Sequence, residues 1–337
     1  MNHRIGRSDV YTTSRITLGA MGIGGGHSYP DQDDGEGIAT IHRAHGLGIN
    51  LIDSAPVYGL GHSEEVIGRA IRGRRDDFVL STKATFNWDR PEDRLRLAFQ
   101  RDGIDIYASL RPDSLRRDLE ASLKRLGTDH VDIYYLHNPR RKEDLTPVAD
   151  SAAALNAFKA EGKIRAIGLS NVTLEEIEDY QANGVQVDIV QRRYSILDRF
   201  VEPEILPKLE RDEISFHAYT PLERGLLTGS VRADFQFADK DHRRDQVWWN
   251  PAVFPLALGF VDSLKEVAAK YGKSLTELAI AFLLARSQRV HVLVGARKPA
   301  QIDQDAGGEF DLAPKDVDWI NQRWAGLEAE AAAAEKA

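Results

Sequence analysis

Eight short β-branched runs, each followed by a segment of helical periodicity, constrain this 337-residue chain more than any other feature. They lie at 15–19, 49–53, 78–83, 131–136, 164–169, 187–191, 214–219 and 291–295. Consecutive parallel strands need a long crossover, and a helix supplies it, so this order predicts a parallel sheet. Eight such units close most economically into an α/β fold of the (β/α)8 TIM barrel type, with chemistry at the C-terminal strand ends. The helices carry their own signals. Leu115, Leu119, Leu123 and Leu126 recur at helical spacing after Asp113, read as an N-cap. Thr173 with Glu176, and Ser274 with Glu277, have capping-box form, while Gly162 and Gly272 stand where helices should stop. The segment 8–13 reads as a small hairpin plugging the barrel bottom. One domain is expected over residues 1–337, with an Ala/Glu-rich tail, 328–337, that extends the last helix or frays.

Composition removes several classes of function. Forty-four Lys and Arg against 52 Asp and Glu leave a net charge of −8, and no basic run stands out. Such a chain lacks the electrostatic footprint of a nucleic-acid binder. The absence of cysteine excludes disulfides, thiolate metal sites and a cysteine nucleophile. Without an N-terminal apolar core or a stretch of about 18 apolar residues, no membrane is expected as a partner and a cytoplasmic location is. Two mouth connections, 84–113 after the third strand and 221–260 after the seventh, are longer than a βα unit requires. They carry Trp88, Trp248 and Trp249 among other aromatics, which either wall a substrate pocket or anchor the loops. His27 and Tyr29, after the first strand, are also placed to touch substrate.

The strand ends bring four reactive side chains to one rim. Asp53 ends the second strand and Tyr58 follows it; Lys83 ends the third; His137 ends the fourth. A tyrosine of ordinary pKa near 10 is a weak acid, and an adjacent ammonium from Lys83 would lower that pKa by stabilising the phenolate. A buried ammonium needs a partner, which Asp53 supplies. His137 can then orient a substrate oxygen while Tyr58 gives or takes the proton, which is equipment for carbonyl and alcohol interconversion. No metal site is evident, so the hydride has to come from an organic cofactor. The glycines at 19–26 do not spell G-x-G-x-x-G, and His42 and His45 lack a third ligand.

These residues resemble the aldo-keto reductases, and the chain looks closest to the bacterial branch acting on sugars, inositols and other ring ketones. The resemblance rests on Ile52-Asp-Ser-Ala-Pro-Val-Tyr58-Gly, Leu80-Ser-Thr-Lys83, Val131-Asp-Ile-Tyr-Tyr-Leu-His137, Gly162-Lys-Ile-Arg-Ala-Ile-Gly-Leu-Ser-Asn171, Tyr219-Thr-Pro-Leu222 and Val294-Gly-Ala-Arg297. It implies an NADP(H)-dependent reductase with the tetrad Asp53, Tyr58, Lys83 and His137. It further implies that Ser170, Asn171 and Gln191 hold the nicotinamide carboxamide and that Tyr219 stacks on the ring. Gly19, Ala20 and Met21 would pass beside the cofactor, and Pro221, Leu222 and Gly225 beside the pyrophosphate. Gly295, Arg297, Gln301 and Asp305 would meet the adenosine end, with Arg297 on a 2′-phosphate. Ala20-Met21, Asn138 and Asp305 depart from the common pattern, which predicts a reshaped pocket and a weaker adenine contact. Substrate would be a small-molecule aldehyde or ketone, one option being a keto group on a hydroxylated or polycyclic ring. The rival expectation is an NADP(H)-binding regulatory subunit like the channel β subunits, and oligomeric state is not legible.

Overall fold

The computed structural model describes residues 2–26, 29, 31–89, 96–101, 103–139, 146–237 and 241–334. Its centre is a closed barrel of eight strands paired in parallel in chain order: Ile16–Gly19, Leu51–Asp53, Val79–Ala84, Val131–Leu136, Ile164–Ser170, Val187–Arg193, Ser215–Tyr219 and Val290–Gly295. All eight predicted strands are present, with ends shifted by one or two residues. The strands are buried on both faces, which is why they read as nearly continuous apolar runs.

The barrel bottom is closed by an antiparallel pair, His3–Arg4 with Tyr11–Thr12. Ile5 and Val10 from its loop pack among the inward-facing Leu51, Val79, Ile133, Ala166 and Ile189. The predicted plug is therefore found, beginning earlier than residue 8. Gly6 makes the close approach possible: with φ +52, its missing Cβ would lie 2.1 Å from the carbonyl oxygen of Asp188.

The helices surround the barrel. Both capping boxes form, Thr173 with Glu176 and Ser274 with Glu277. The helix Pro112–Leu126 corrects one expectation, because it begins at Pro112 with Arg111 at the N-cap position, and Asp113 lies inside the first turn. Proline at the first helical position needs no N–H donor there, which moves the cap two residues toward the N-terminus. The last helix, Pro314–Ala334, buries Ile320, Leu327 and Ala331 against the barrel helices, so residues 328–334 continue it.

The connection after the third strand contains a structure not anticipated above. Phe86–Asn87, Arg96–Arg101 and Ile104–Ala108 form a three-stranded antiparallel sheet. Its apolar face, with Phe86, Ile106 and Ala108, packs with Ala55 and Val57 and against Tyr58 and Trp88. The sheet thus stands directly beside the loop that carries Tyr58. Among the described residues no helix is long and apolar enough to cross a membrane.

Candidate functional site

Alternation along the third strand sends Ser81 and Lys83 to the same face, the barrel interior. Lys83 is fully buried, and its Nζ donates to Asp53 Oδ2 at 2.6 Å, to the Ser54 carbonyl at 2.7 Å and to Tyr58 Oη at 3.4 Å. Three oxygens around one ammonium satisfy its three donors. Asp53 is itself held, with Oδ1 accepting from Ser81 Oγ at 2.6 Å and Gln191 Nε2 at 3.3 Å. Gly19 lies in register with Asp53 on one side and Gly295 on the other, and Ala20 donates its N–H to the Asp53 carbonyl at 2.8 Å. The second strand is in this way fixed at the rim.

Burial acts first on the Lys83 ammonium, lowering its pKa, but the charge and hydrogen bond of Asp53 outweigh it and hold the group above its ordinary value. Tyr58 differs from the sequence expectation. Burial raises its pKa, and the opposing attraction of Lys83 only reduces that rise. The phenol is consequently a protonated donor at neutral pH, as a proton-giving group must be. His137 lies edge-on to Tyr58, with ring centroids 6.0 Å apart, and packs on Phe86 at 5.0 Å. Burial, with Lys83 and Arg101 adding repulsion, holds its pKa well below 6.5, so the imidazole is neutral. All four predicted side chains meet at one mouth.

Ser170 and Asn171 end the fifth strand. Asn171, at φ +60, donates from Nδ2 to the His137 carbonyl at 2.9 Å and to Ser170 Oγ at 3.2 Å, while its Oδ1 accepts from Tyr219 Oη at 2.7 Å. The second lone pair of that oxygen remains for a ligand N–H. Beyond Tyr219, Thr220, Glu223, Arg224 and Gly225 all have positive φ, between 46° and 97°. The turn is closed by its own hydrogen bonds, from Glu223 N–H to the Thr220 carbonyl at 3.1 Å and from Gly225 and Leu227 N–H to the Leu222 carbonyl at 3.0 and 3.1 Å. The buried Oδ1 of Asn138 has no partner among the described residues and is a further acceptor beside His137.

At the eighth strand Arg297 lies over the Tyr29 ring, 5.0 Å from its centroid. Gln301 Oε1 accepts from the N–H groups of Arg297 and Lys298, at 2.9 and 3.2 Å, and shapes that turn. Burial pushes the Asp305 carboxyl up to about 7. In its neutral form it can donate and accept as an amide does, which softens the expected loss of an adenine contact. Met21 is exposed at the mouth.

The expected substrate residues divide. Trp88 packs against the same apolar cluster of the mouth sheet as Tyr58. Trp249 does not reach a cleft: it is 1% exposed, stacked on Phe254 at 5.5 Å and enclosed by Phe235 and Phe237. It anchors its loop, and Trp248 is buried in the same core. His27 lies outside the described residues. Sequence reasoning passed over Ser81, Arg101 and His217, the last of which has both Gln191 Nε2 and Tyr135 Oη at 3.1 Å from its Nδ1. Ser81 was discoverable from its spacing of two from Lys83.

The model of the Aldo/keto reductase family matches residues 15–325. The chain is 36% identical over 327 residues to the "NADH-specific methylglyoxal reductase" of Escherichia coli, covering 96% of this chain and 98% of that protein. It is 30% identical to a "Probable voltage-gated potassium channel subunit beta" of Oryza sativa subsp. japonica, covering 88% of each. Among solved structures, a glycerol dehydrogenase from Gluconobacter oxydans superposes with a TM-score of 0.87 at 32% identity, over 97% of this chain and 95% of that one.

Proposed function

The chain belongs to the aldo/keto reductase family, whose members are oxidoreductases acting on carbonyl and alcohol groups, and from that premise we propose a reversible NADPH-dependent reduction of an aldehyde or ketone. The observation that carries this reading is the chain of contacts from Asp53 through Lys83 to Tyr58 beside a neutral His137. Bound NADPH supplies a hydride to the carbonyl carbon. His137, being neutral, donates an N–H to the carbonyl oxygen without competing for the transferred proton. Tyr58 gives its proton to the same oxygen, and the Lys83 ammonium stabilises the phenolate left behind. Asp53 keeps Lys83 charged in a buried place, where an unpaired ammonium would lose its proton.

Ser170, Asn171, Gln191 and Tyr219 would hold the nicotinamide end, and the turn at 220–225 would lie beside the pyrophosphate. Arg297 favours a dinucleotide carrying a 2′-phosphate, because a guanidinium pairs bidentately with phosphate. Substrates are carbonyls on hydroxylated or polycyclic skeletons, accommodated by the long mouth connections. The similarity to a channel β subunit supports a second reading, an NADP(H)-binding regulatory subunit.

Turnover separates the two. NADPH oxidation with a panel of aldehydes, keto-sugars and aromatic ketones is expected for the wild type. Tyr58→Phe should lower kcat by about 10²- to 10⁴-fold, the usual worth of a positioned proton donor, while NADPH still quenches protein fluorescence. Near-normal turnover by the variant would refute Tyr58 as the acid; tight NADPH binding without any turnover would favour the regulatory subunit.

A further inference from the structure

A cation other than Lys83 stands beside the proposed reacting groups. Arg101 ends an edge strand of the mouth sheet, opposite Ile104 on the middle strand, and its Nη1 donates to the carbonyl of Val57 at 2.7 Å, one residue before Tyr58. Its guanidinium lies 5.5 Å from the Phe99 centroid; Phe99 meets Phe86 at 5.3 Å, and Phe86 meets His137 at 5.0 Å. The cation is therefore seated on an aromatic ladder that ends at the substrate-orienting histidine. The same charge acts on both Tyr58 and His137.

Several half-buried guanidinium groups elsewhere in the chain have carboxylate partners, whereas Arg15 donates to the Leu284 and Ser287 carbonyls and Arg297 lies over the Tyr29 ring. Arg75 pairs with Asp132 at 2.7 Å, Arg125 with Glu64 at 2.7 Å, Arg193 with Asp198 at 2.8 Å and Arg243 with Asp241 at 2.6 Å. Arg101 is equally half-buried, yet no carboxylate of the described residues lies within 4.0 Å of it. One of its five N–H donors goes to Val57, and the planar fork that remains suits a bidentate oxyanion. Lys83 cannot take this role, being enclosed by Asp53, Ser54 and Tyr58.

We propose that Arg101 is a specificity-determining residue that pairs with a carboxylate or phosphate carried by the carbonyl substrate, so that the chain prefers acidic aldehydes and ketones to neutral ones. This rests on the reductase reading above and names the substrate class of that same site. The anion would sit beside the Val57–Tyr58 loop, holding the carbonyl carbon toward the mouth.

The test compares two matched pairs with wild type, Arg101→Met and Arg101→Lys: succinic semialdehyde against butanal, and glyceraldehyde 3-phosphate against glyceraldehyde. In the wild type, kcat/KM for the charged member of at least one pair should exceed that of its neutral partner at least tenfold, mostly through KM. The pair that shows it separates carboxylate from phosphate. Added salt should shrink the preference, since it screens a partly exposed ion pair. Arg101→Met should lose at least ten times more on the charged member than on the neutral one, and Arg101→Lys should recover part of the difference. Equal losses on both members would overturn the proposal and leave Arg101 as a prop for the Val57 carbonyl. Neutral substrates turned over as well as charged ones would overturn it while leaving the reductase reading intact. If none of the four aldehydes is reduced although NADPH binds, the reductase reading fails with it.

Discussion

Arg297 has a ring on one side and no carboxylate partner among the described residues, whereas the next residue, Lys298, is drawn to Glu36 at 3.5 Å. Of the two cations at this turn, Arg297 is the one free to meet a phosphate. Arg297→Ala should weaken NADPH binding at least tenfold and NADH binding no more than about threefold, since one charge-assisted contact is worth roughly 1.5–3 kcal/mol. Fluorescence titration with both nucleotides checks this, and parallel losses would remove the phosphate assignment. Residues of this kind were legible in the sequence because reactive types stood at strand ends. Asp53, Tyr58, Lys83 and His137 each follow or close a predicted strand, and the barrel brings those ends together. Their ionisation was less legible, because the rise in the Tyr58 pKa comes from burial that only the packed mouth creates.

Local signals served well where hydrogen bonds close within a few residues. In the box at Ser274, its N–H donates to Glu277 Oε2 at 2.8 Å and Glu277 N–H returns to Ser274 Oγ at 3.3 Å. This opens the helix Leu275–Leu284, every residue of which except Glu277 is buried. Ser274→Ala should cost about 1 kcal/mol, the usual worth of an N-cap, and leave turnover unchanged because the helix carries no site residue. Urea unfolding measures the loss; a stability equal to the wild type would mean that tertiary packing alone fixes the helix start. Asp113 was misread as a cap for the converse reason. Pro112 can begin the helix, and Asp113 then pairs with Arg117 at 3.3 Å, a favourable place for an acid in the first turn. The mouth sheet also left a trace: in the sequence Leu97 and Phe99 alternate before Asp-Gly at 102–103, a hairpin-turn pair, and Ile104 and Ile106 alternate after it, with Gly103 at φ +75. That hairpin signal was masked by the expectation of a loop, and with it went Arg101.

Across the molecule, the balance between buried histidines and the buried carboxyls of Asp198, Glu223 and Asp305 sets the response to acid. Burial lowers His217 to about 4 from an ordinary 6.5, so between these values the unfolded chain binds more protons than the folded one. Stability is then lost as pH falls through that window. From pH 7 to pH 5 the loss is roughly 2 kcal/mol, at about 1.4 kcal/mol per unit. Asp305 works in the opposite direction. With its pKa raised to about 7, the folded state binds the extra proton, and acidification over the same range returns roughly 2 kcal/mol. These two contributions nearly cancel. Asp198 and Glu223, also raised by burial, side with Asp305, while His137 and His291, both held well below 6.5 by burial first, side with His217 and are the more strongly shifted. The ring nitrogens of His291 have no partner among the described residues, so nothing there offers to share a proton. Net stability should therefore be lower at pH 5 than at pH 7, by an amount that grows in Asp305→Asn, which removes that residue's share of the offset. Urea unfolding of wild type and variant at the two pH values tests this; equal or greater wild-type stability at pH 5 would mean that the buried imidazoles find proton acceptors, such as internal water, inside the barrel.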